Sequence, residues 1–285
     1  MMIPFNFHQH SLFSDGKKPL EDYVLQAVEL GFKAMGFTEH SPLPFSTYYS
    51  LPHQREQEYI DETNRLKEKY VTKIKLYRAL EQDFIPGITE DFKVVSKRLK
   101  LDYTIGSVHL VKPDHSDELW FIDGPNRDIY DVGLTKLFEG NIRKGVTSYY
   151  HQLNQMIASQ DFDVVGHLDK IKMHNAGRFF QENESWYRQL VNETLDLIKQ
   201  NDLIVEVNTR GIYKKRSTSY FPDHDTLKKV KALEIPIIIS SDAHEPHELH
   251  LGFDTVQRHL LDYGFKSTCF FDGISWIEHP LDTVY

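Results

Sequence analysis

Cysteine is nearly absent from this chain. One residue in 285, Cys269, leaves no partner for an intrachain disulfide, and it points to a cytoplasmic protein rather than a cross-linked secreted one. Its setting in "STCFF", an apolar β-type run, suits packing better than reactivity. Long apolar runs are missing too. None approaches the ~18 residues that a membrane span requires, and the N-terminus lacks the basic-then-apolar layout of a secretory signal. No membrane association is expected. There is no basic excess either: at a net charge of −9 the chain is a poor candidate for gripping nucleic acid by its phosphates. Repeats, low-complexity segments and linkers rich in Pro, Gly or Ser are also absent, so residues 1–285 read as a single domain.

What the chain does have is histidine, 15 residues of it, the side chain most often used to hold a metal and to move protons near neutral pH. These residues lie on a recurring frame. Short β-type runs, at 3–7, 34–38, 75–80, 103–107, 163–166, 203–207 and 236–240, alternate with longer stretches whose apolar residues recur every three or four positions. "PLEDYVLQAVELGF" puts Leu20, Val24, Ala27 and Val28 on one helix face, with Pro19 suited to the first turn and Gly31 to the C-terminal end. "YRQLVNETLDLIKQND" reads the same way through Leu190, Thr194, Leu197 and Ile198. Nearly continuous apolar strands alternating with helices imply a parallel sheet covered by helices. Seven such units favour closure, so the expected fold is α/β, a TIM-like (β/α)7 barrel, or one with 268–271 as an irregular eighth strand. In such barrels the chemistry collects where strands end.

The residues that follow each run bear this out as a pattern. His8, His10 and then Asp15 follow the first, His40 closes the second, and Glu81 follows the third. His109 follows the fourth, His167 the fifth, Asn208 and Arg210 the sixth, and Asp242 and His244 the seventh. The other histidines, 53, 115, 151, 174, 224, 247, 250, 259 and 279, fall mostly in helices or loops and read as non-ligands. Imidazole mixed with carboxylate suits Zn, Mn or Fe, whereas an all-oxygen set suits Mg or Ca. Six histidines and three carboxylates are too many for one metal, which takes about four ligands, and are enough for three divalent ions. Cations outside that set are candidates for phosphate, because guanidinium matches its oxygens in a fork. Arg210 follows the one strand that supplies no ligand, and Arg178 lies in the loop "HNAGRFF" after the fifth. Arg216, in "KKRSTS", reads as solvated.

"HQH…D", "TEH", the glutamate after the third strand and "SDAH", in this order over roughly residues 1–255, resemble the PHP (polymerase and histidinol phosphatase) family. The resemblance implies a distorted seven-stranded barrel and a three-metal cluster. It implies His8, His10, Glu81 and Asp242 on the first metal, Asp15, His40 and His244 on the second, and Glu81, His109 and His167 on the third, with Glu81 bridging. Asp15 stands where several relatives carry histidine. The activity implied is hydrolysis of a phosphate monoester by a metal-bridging hydroxide, with Asp242 and His244 as the groups near enough to move a proton. Three divalent ions against three carboxylates and a hydroxide leave about +2, which matches a phosphate monoester of nearly −2. Within the family, "HxHSxFSDG" and the arginine-bearing segments are most similar to the branch acting on L-histidinol phosphate, a small phosphorylated amino alcohol. Nucleotides or other phosphomonoesters are the alternative substrates.

Overall fold

The computed structural model describes residues 3–114 and 116–282; His115, read above as a non-ligand, lies outside them. Eleven strands form among the described residues: β1 (Phe5–Asn6), β2 (Ala34–His40), β3 (Lys75–Asp83), β4 (Tyr103–Ser107), β5 (Leu110–Val111), β6 (Trp120–Phe121), β7 (Val164–Val165), β8 (Ile204–Asn208), β9 (Ile237–Ser240), β10 (Ser267–Phe271) and β11 (Trp276–Pro280). Seven of them make one parallel sheet in the order β1-β2-β3-β4-β7-β8-β9. Every residue of β2, β4, β8 and β9 is buried, as an apolar run with helices on one side and a barrel interior on the other requires. The helices expected between the strands form, with Leu20–Glu29 starting directly after Pro19 and Gly31 at φ 75° just past its end.

The sheet closes on itself through a single parallel bridge, Gln9 to Ala243. His10 N donates to Ala243 O at 2.8 Å and Ala243 N to His8 O at 3.3 Å. One rung below, the Asn6 side chain donates to Ser241 Oγ at 2.7 Å. The fold is thus a nearly closed barrel of seven parallel strands. The candidate eighth strand does not join it. β10 pairs antiparallel with β11 as a separate hairpin, and it meets β9 through the Thr268 side chain, 3.2 Å from both Ile239 N and Ile237 O. Its rings instead plug the end of the barrel where the strands begin: Phe270 and Trp276 pack against Phe7, and Phe271 packs on Tyr77 and Tyr103. Tyr103 crosses the interior to donate to Phe7 O at 2.7 Å, over Gly36, where a Cβ would lie 1.7 Å from its hydroxyl. That end is sealed, so access is from the other. Among the described residues no helix is long and apolar enough to cross a membrane.

Candidate metal centre

Beyond β1 the chain continues through His8, Gln9 and His10 to the closing bridge. Alternate residues of an extended segment face opposite ways. With Gln9 and Ala243 paired, His8 and His10 on one segment and Asp242 and His244 on the other project together. His10 Nε2 lies 3.4 Å from Asp242 Oδ1, and the His10 and His244 rings are 4.4 Å apart. Asp242 at φ 50° and His167 at φ 20° occupy backbone regions that non-glycine residues seldom adopt, and such strain collects at functional sites.

Glu81, at the C-terminal half of β3, is the hub. Its Oε2 stands 3.3 Å from His8 Nε2, 3.5 Å from His10 Nε2 and 3.2 Å from His40 Nδ1. Its Oε1 stands 2.8 Å from His167 Nε2 and 3.3 Å from His109 Nε2. Asp15 reaches in from the turn after β1, 3.1 Å from His244 Nε2 and 3.7 Å from His40 Nε2. The nine side chains named from the sequence are therefore brought to one place, most of them almost fully buried. The donor atoms of eight of them fall into three overlapping groups: His10, Asp15, His40 and His244; His8, His10 and Asp242; His40, Glu81 and His109. These groupings differ from the partition implied by resemblance, since His10 and His40 each belong to two, Glu81 belongs to one, and His167 reaches the set through Glu81.

The spacing suits metal ions. Two ligands at 2.0–2.1 Å from a tetrahedral ion are about 3.3 Å apart. His8 and His10 present Nε2 atoms 3.1 Å apart, and His109 and His167 present theirs 3.3 Å apart. Several buried polar atoms of the set, Asp15 Oδ1 and the Nδ1 atoms of His10, His40, His109 and His167, have no hydrogen-bond partner. His40 Nδ1 is near Glu81 without hydrogen-bond alignment, so proximity there is not satisfaction. Donor atoms converging this closely, with Asp15 Oδ1 and His40 Nδ1 unpartnered among them, call for cations. Electrostatics agree. Burial raises Glu81 and Asp242, but His109 and His8 around the first, and Lys170 and Arg210 beside the second, hold both well below the usual carboxylate range. Burial and neighbouring imidazoles push His10 and His40 down to about 4, which keeps them neutral and able to ligate.

Partners behind the set orient it, and the sequence pattern does not single them out. Glu206 of β8 is completely buried; it binds His8 Nδ1 and accepts from His167 N at 2.7 Å. Burial would lower His8, but Glu206, Glu81 and Asp242 outweigh it and hold its pKa well above the ordinary value. Asp83 accepts from His109 N at 2.9 Å and lies 3.3 Å from its Nδ1. Glu39 gathers Ser11 N, Ser11 Oγ and Ser14 Oγ, which fixes the turn carrying Asp15. Ser107 donates to Glu81 at 2.7 Å; a Cβ on Gly166 would lie 2.2 Å from that hydroxyl.

A cavity of about 520 Å³ opens over the set, with Tyr48, Tyr49 and Phe121 along one side. Tyr49 and Phe121 are stacked, their centroids 5.7 Å apart. Arg210 lines the cavity, donating to Asp242 O at 2.6 Å, while Glu248 holds both Arg210 and Lys214. Arg178 is not brought here. It forms a fork with Asp131 at 2.8 Å on both nitrogens and lies against the Phe179 ring on the surface. The loop after β7 turns outward beyond His174, so chain position after a strand did not translate into cavity position. Arg216, expected to be solvated, lines the cavity instead, as does Lys170.

Fold and donor set together define a barrel-borne metal site of the phosphoesterase type. The PHP domain model matches residues 6–210, and the chain belongs to that family. Similar proteins include "Probable histidinol-phosphatase" of Schizosaccharomyces pombe, 27% identical over 94% of this chain and 89% of that one. "Histidinol-phosphatase" of Bacillus subtilis is 26% identical over 82% and 90%. A crystal structure of histidinol phosphate phosphatase from Lactococcus lactis, complexed with zinc, L-histidinol and phosphate, superposes with a TM-score of 0.69 at 20% identity, covering 97% of this chain and all of that one.

Proposed function

We propose that this protein is a histidinol-phosphatase: it hydrolyses L-histidinol phosphate to L-histidinol and phosphate, at a centre of three divalent ions held by His8, His10, Asp15, His40, Glu81, His109, His167, Asp242 and His244. The observation that carries the reading is Glu81 meeting five imidazoles at the floor of a cavity whose rim holds Arg210, Lys214 and Arg216. The names of its full-length relatives agree. Zinc, manganese or iron fits a donor set of this composition. Bound there, such ions would draw charge from phosphoryl oxygens and bring the pKa of water towards neutrality.

The rest is work for the protein's own groups. Arg210 and Arg216 receive the phosphate oxygens. The Tyr49–Phe121 stack, with Tyr48 at the edge, offers flat apolar surface to the imidazole ring of the substrate. Asp242, held ionised by Lys170 and Arg210 against its burial, acts as an acceptor. His244, nearer the mouth and 3.1 Å from Asp15, is the imidazole of the set most open to water. A cytoplasmic setting suits the buried, unpaired Cys269. Phosphate release from a panel of monoesters, with metal analysis of the same sample, tests the assignment. Activity on histidinol phosphate that is lost on chelation and regained with zinc or manganese is expected. Metal-loaded protein inert on that ester but active on another would overturn the substrate and keep the reaction.

A further inference from the structure

Among the described residues Lys170 is the most deeply buried cation on the cavity wall, 5% exposed against 9% for Arg210. Arg210 and Lys214 are engaged by Glu248, and Arg210 also by the Asp242 carbonyl. The Lys170 ammonium instead stands between two carboxylates, 2.7 Å from Asp123 Oδ2 and 3.7 Å from Asp242 Oδ2. Each of these also faces the donor set. Asp242 turns its other oxygen to His10 Nε2 and His244 Nδ1, each at 3.4 Å, and Asp123 Oδ2 lies 3.9 Å from His109 Nε2. Lys170 thus bridges the Asp242 side of the set to the His109 side.

That position is costly to keep. A buried ammonium needs partners, and here it is one carboxylate removed from sites that would hold divalent cations of the same sign. An ammonium has three N–H donors. The two carboxylate oxygens take at most two, and Asp242 is beyond hydrogen-bond distance. An anion that spans the donor set from Asp242 to His109 passes within reach of the remaining hydrogens. The geometry points to Lys170 as a substrate-contacting residue: its ammonium donates to an oxygen of the phosphoryl group, and Asp123 fixes its direction. This rests on the phosphatase reading and adds a contact that is neither a metal ligand nor one of the arginines.

The test uses the full chain loaded with zinc or manganese, inorganic phosphate as the probe, and three readouts: metal per chain, phosphate affinity by calorimetry, and kcat and KM on L-histidinol phosphate. K170M should keep its metal while phosphate binding weakens about 10- to 100-fold, the range for losing one charge-assisted hydrogen bond. KM should rise with it, and K170R should recover part of the loss. Asp123→Asn should give a smaller loss in the same direction. Phosphate affinity and KM within about twofold of wild type in metal-replete K170M would overturn the contact. So would a parallel loss of metal in K170M and K170R, which would make Lys170 a support for the ions. If K170M does not fold, K170Q keeps a donor without the charge and is judged by the same limits. Loaded wild type that neither binds phosphate nor cleaves any monoester would defeat the phosphatase reading itself, a result distinct from either variant outcome.

Discussion

Replacing Glu206 by glutamine alters one atom and removes one charge directly behind the donor set. Four donors converge on this carboxylate: His8 Nδ1 and Ser240 Oγ on Oε1, His167 N and Asn208 Nδ2 on Oε2. A carboxylate only accepts, so it satisfies both ends; an amide accepts at one end and donates at the other. If the amide NH2 meets His8, the imidazole must accept at Nδ1 and carry its proton on Nε2, the atom that faces Glu81 and His10. That atom then has no lone pair for a metal. If the NH2 meets His167 N instead, a buried backbone donor loses its partner, at about 1–3 kcal/mol. Losing a partner of this kind typically costs about 10- to 100-fold in metal affinity. E206Q should therefore release zinc to a competing chelator at roughly that much lower chelator strength, and metal-free E206Q should melt several degrees below metal-free wild type. Metal content after dialysis against graded chelators, with calorimetry of the stripped proteins, reads both. Retention within about twofold of wild type in folded E206Q would refute the argument that this carboxylate sets the His8 tautomer.

Four further outcomes follow from the same geometry. Arg178→Ala should leave KM and kcat unchanged and cost at most about 1 kcal/mol, because its pair with Asp131 is at the surface; an altered KM would return it to the site. Chelation should lower Tm, since ions bound only by the folded state add about 4 kcal/mol at a thousandfold excess over Kd; an unchanged Tm would mean the donor set holds none. Glu248→Gln should raise KM about tenfold with a smaller change in kcat, because Glu248 holds Arg210 and Lys214; equal loss in both would place its role elsewhere. Lys172→Met should destabilise the fold by about 3–5 kcal/mol, since Asp169, Asp223 and Glu182 surround that buried ammonium; denaturant melts would show it.

Much of the fold and of the metal centre is legible in the residues themselves. Apolar runs separated by helical spacing locate the seven barrel strands, and the residues after them share one rim. Boundaries suffer where the barrel is irregular: the runs at 3–7 and 163–166 keep ladder pairing over only two residues each, with single backbone hydrogen bonds such as Gly166 N to Gly106 O beyond them. Glu206 does not show among the strand ends because it lies inside a strand. One acid within "LIVEVN", a strand buried along its whole length, is the available signal, since such a residue survives burial only when paired. Lys170 and Arg216 carry no such signal. Their loops are placed by tertiary packing, and a sequence of lysines and arginines does not say which of them turn inward.

The single backbone bridge at the seam has a consequence for how the molecule comes into being. The groups it joins are far apart along the chain: Asn6 and Ser241 are separated by 235 residues, Asp15 and His244 by 229. At roughly 5–20 residues per second, synthesis would take on the order of tens of seconds to bring the second set out after the first. During that interval His8 and His10 have emerged, while Asp242 and His244 do not yet exist. A metal taken up early would find at most seven of the nine donors and would lack Asp242 and His244. The complete set of donors arises only as the cylinder shuts, so correct loading is a late event and doubles as a report that the last strand has found the first.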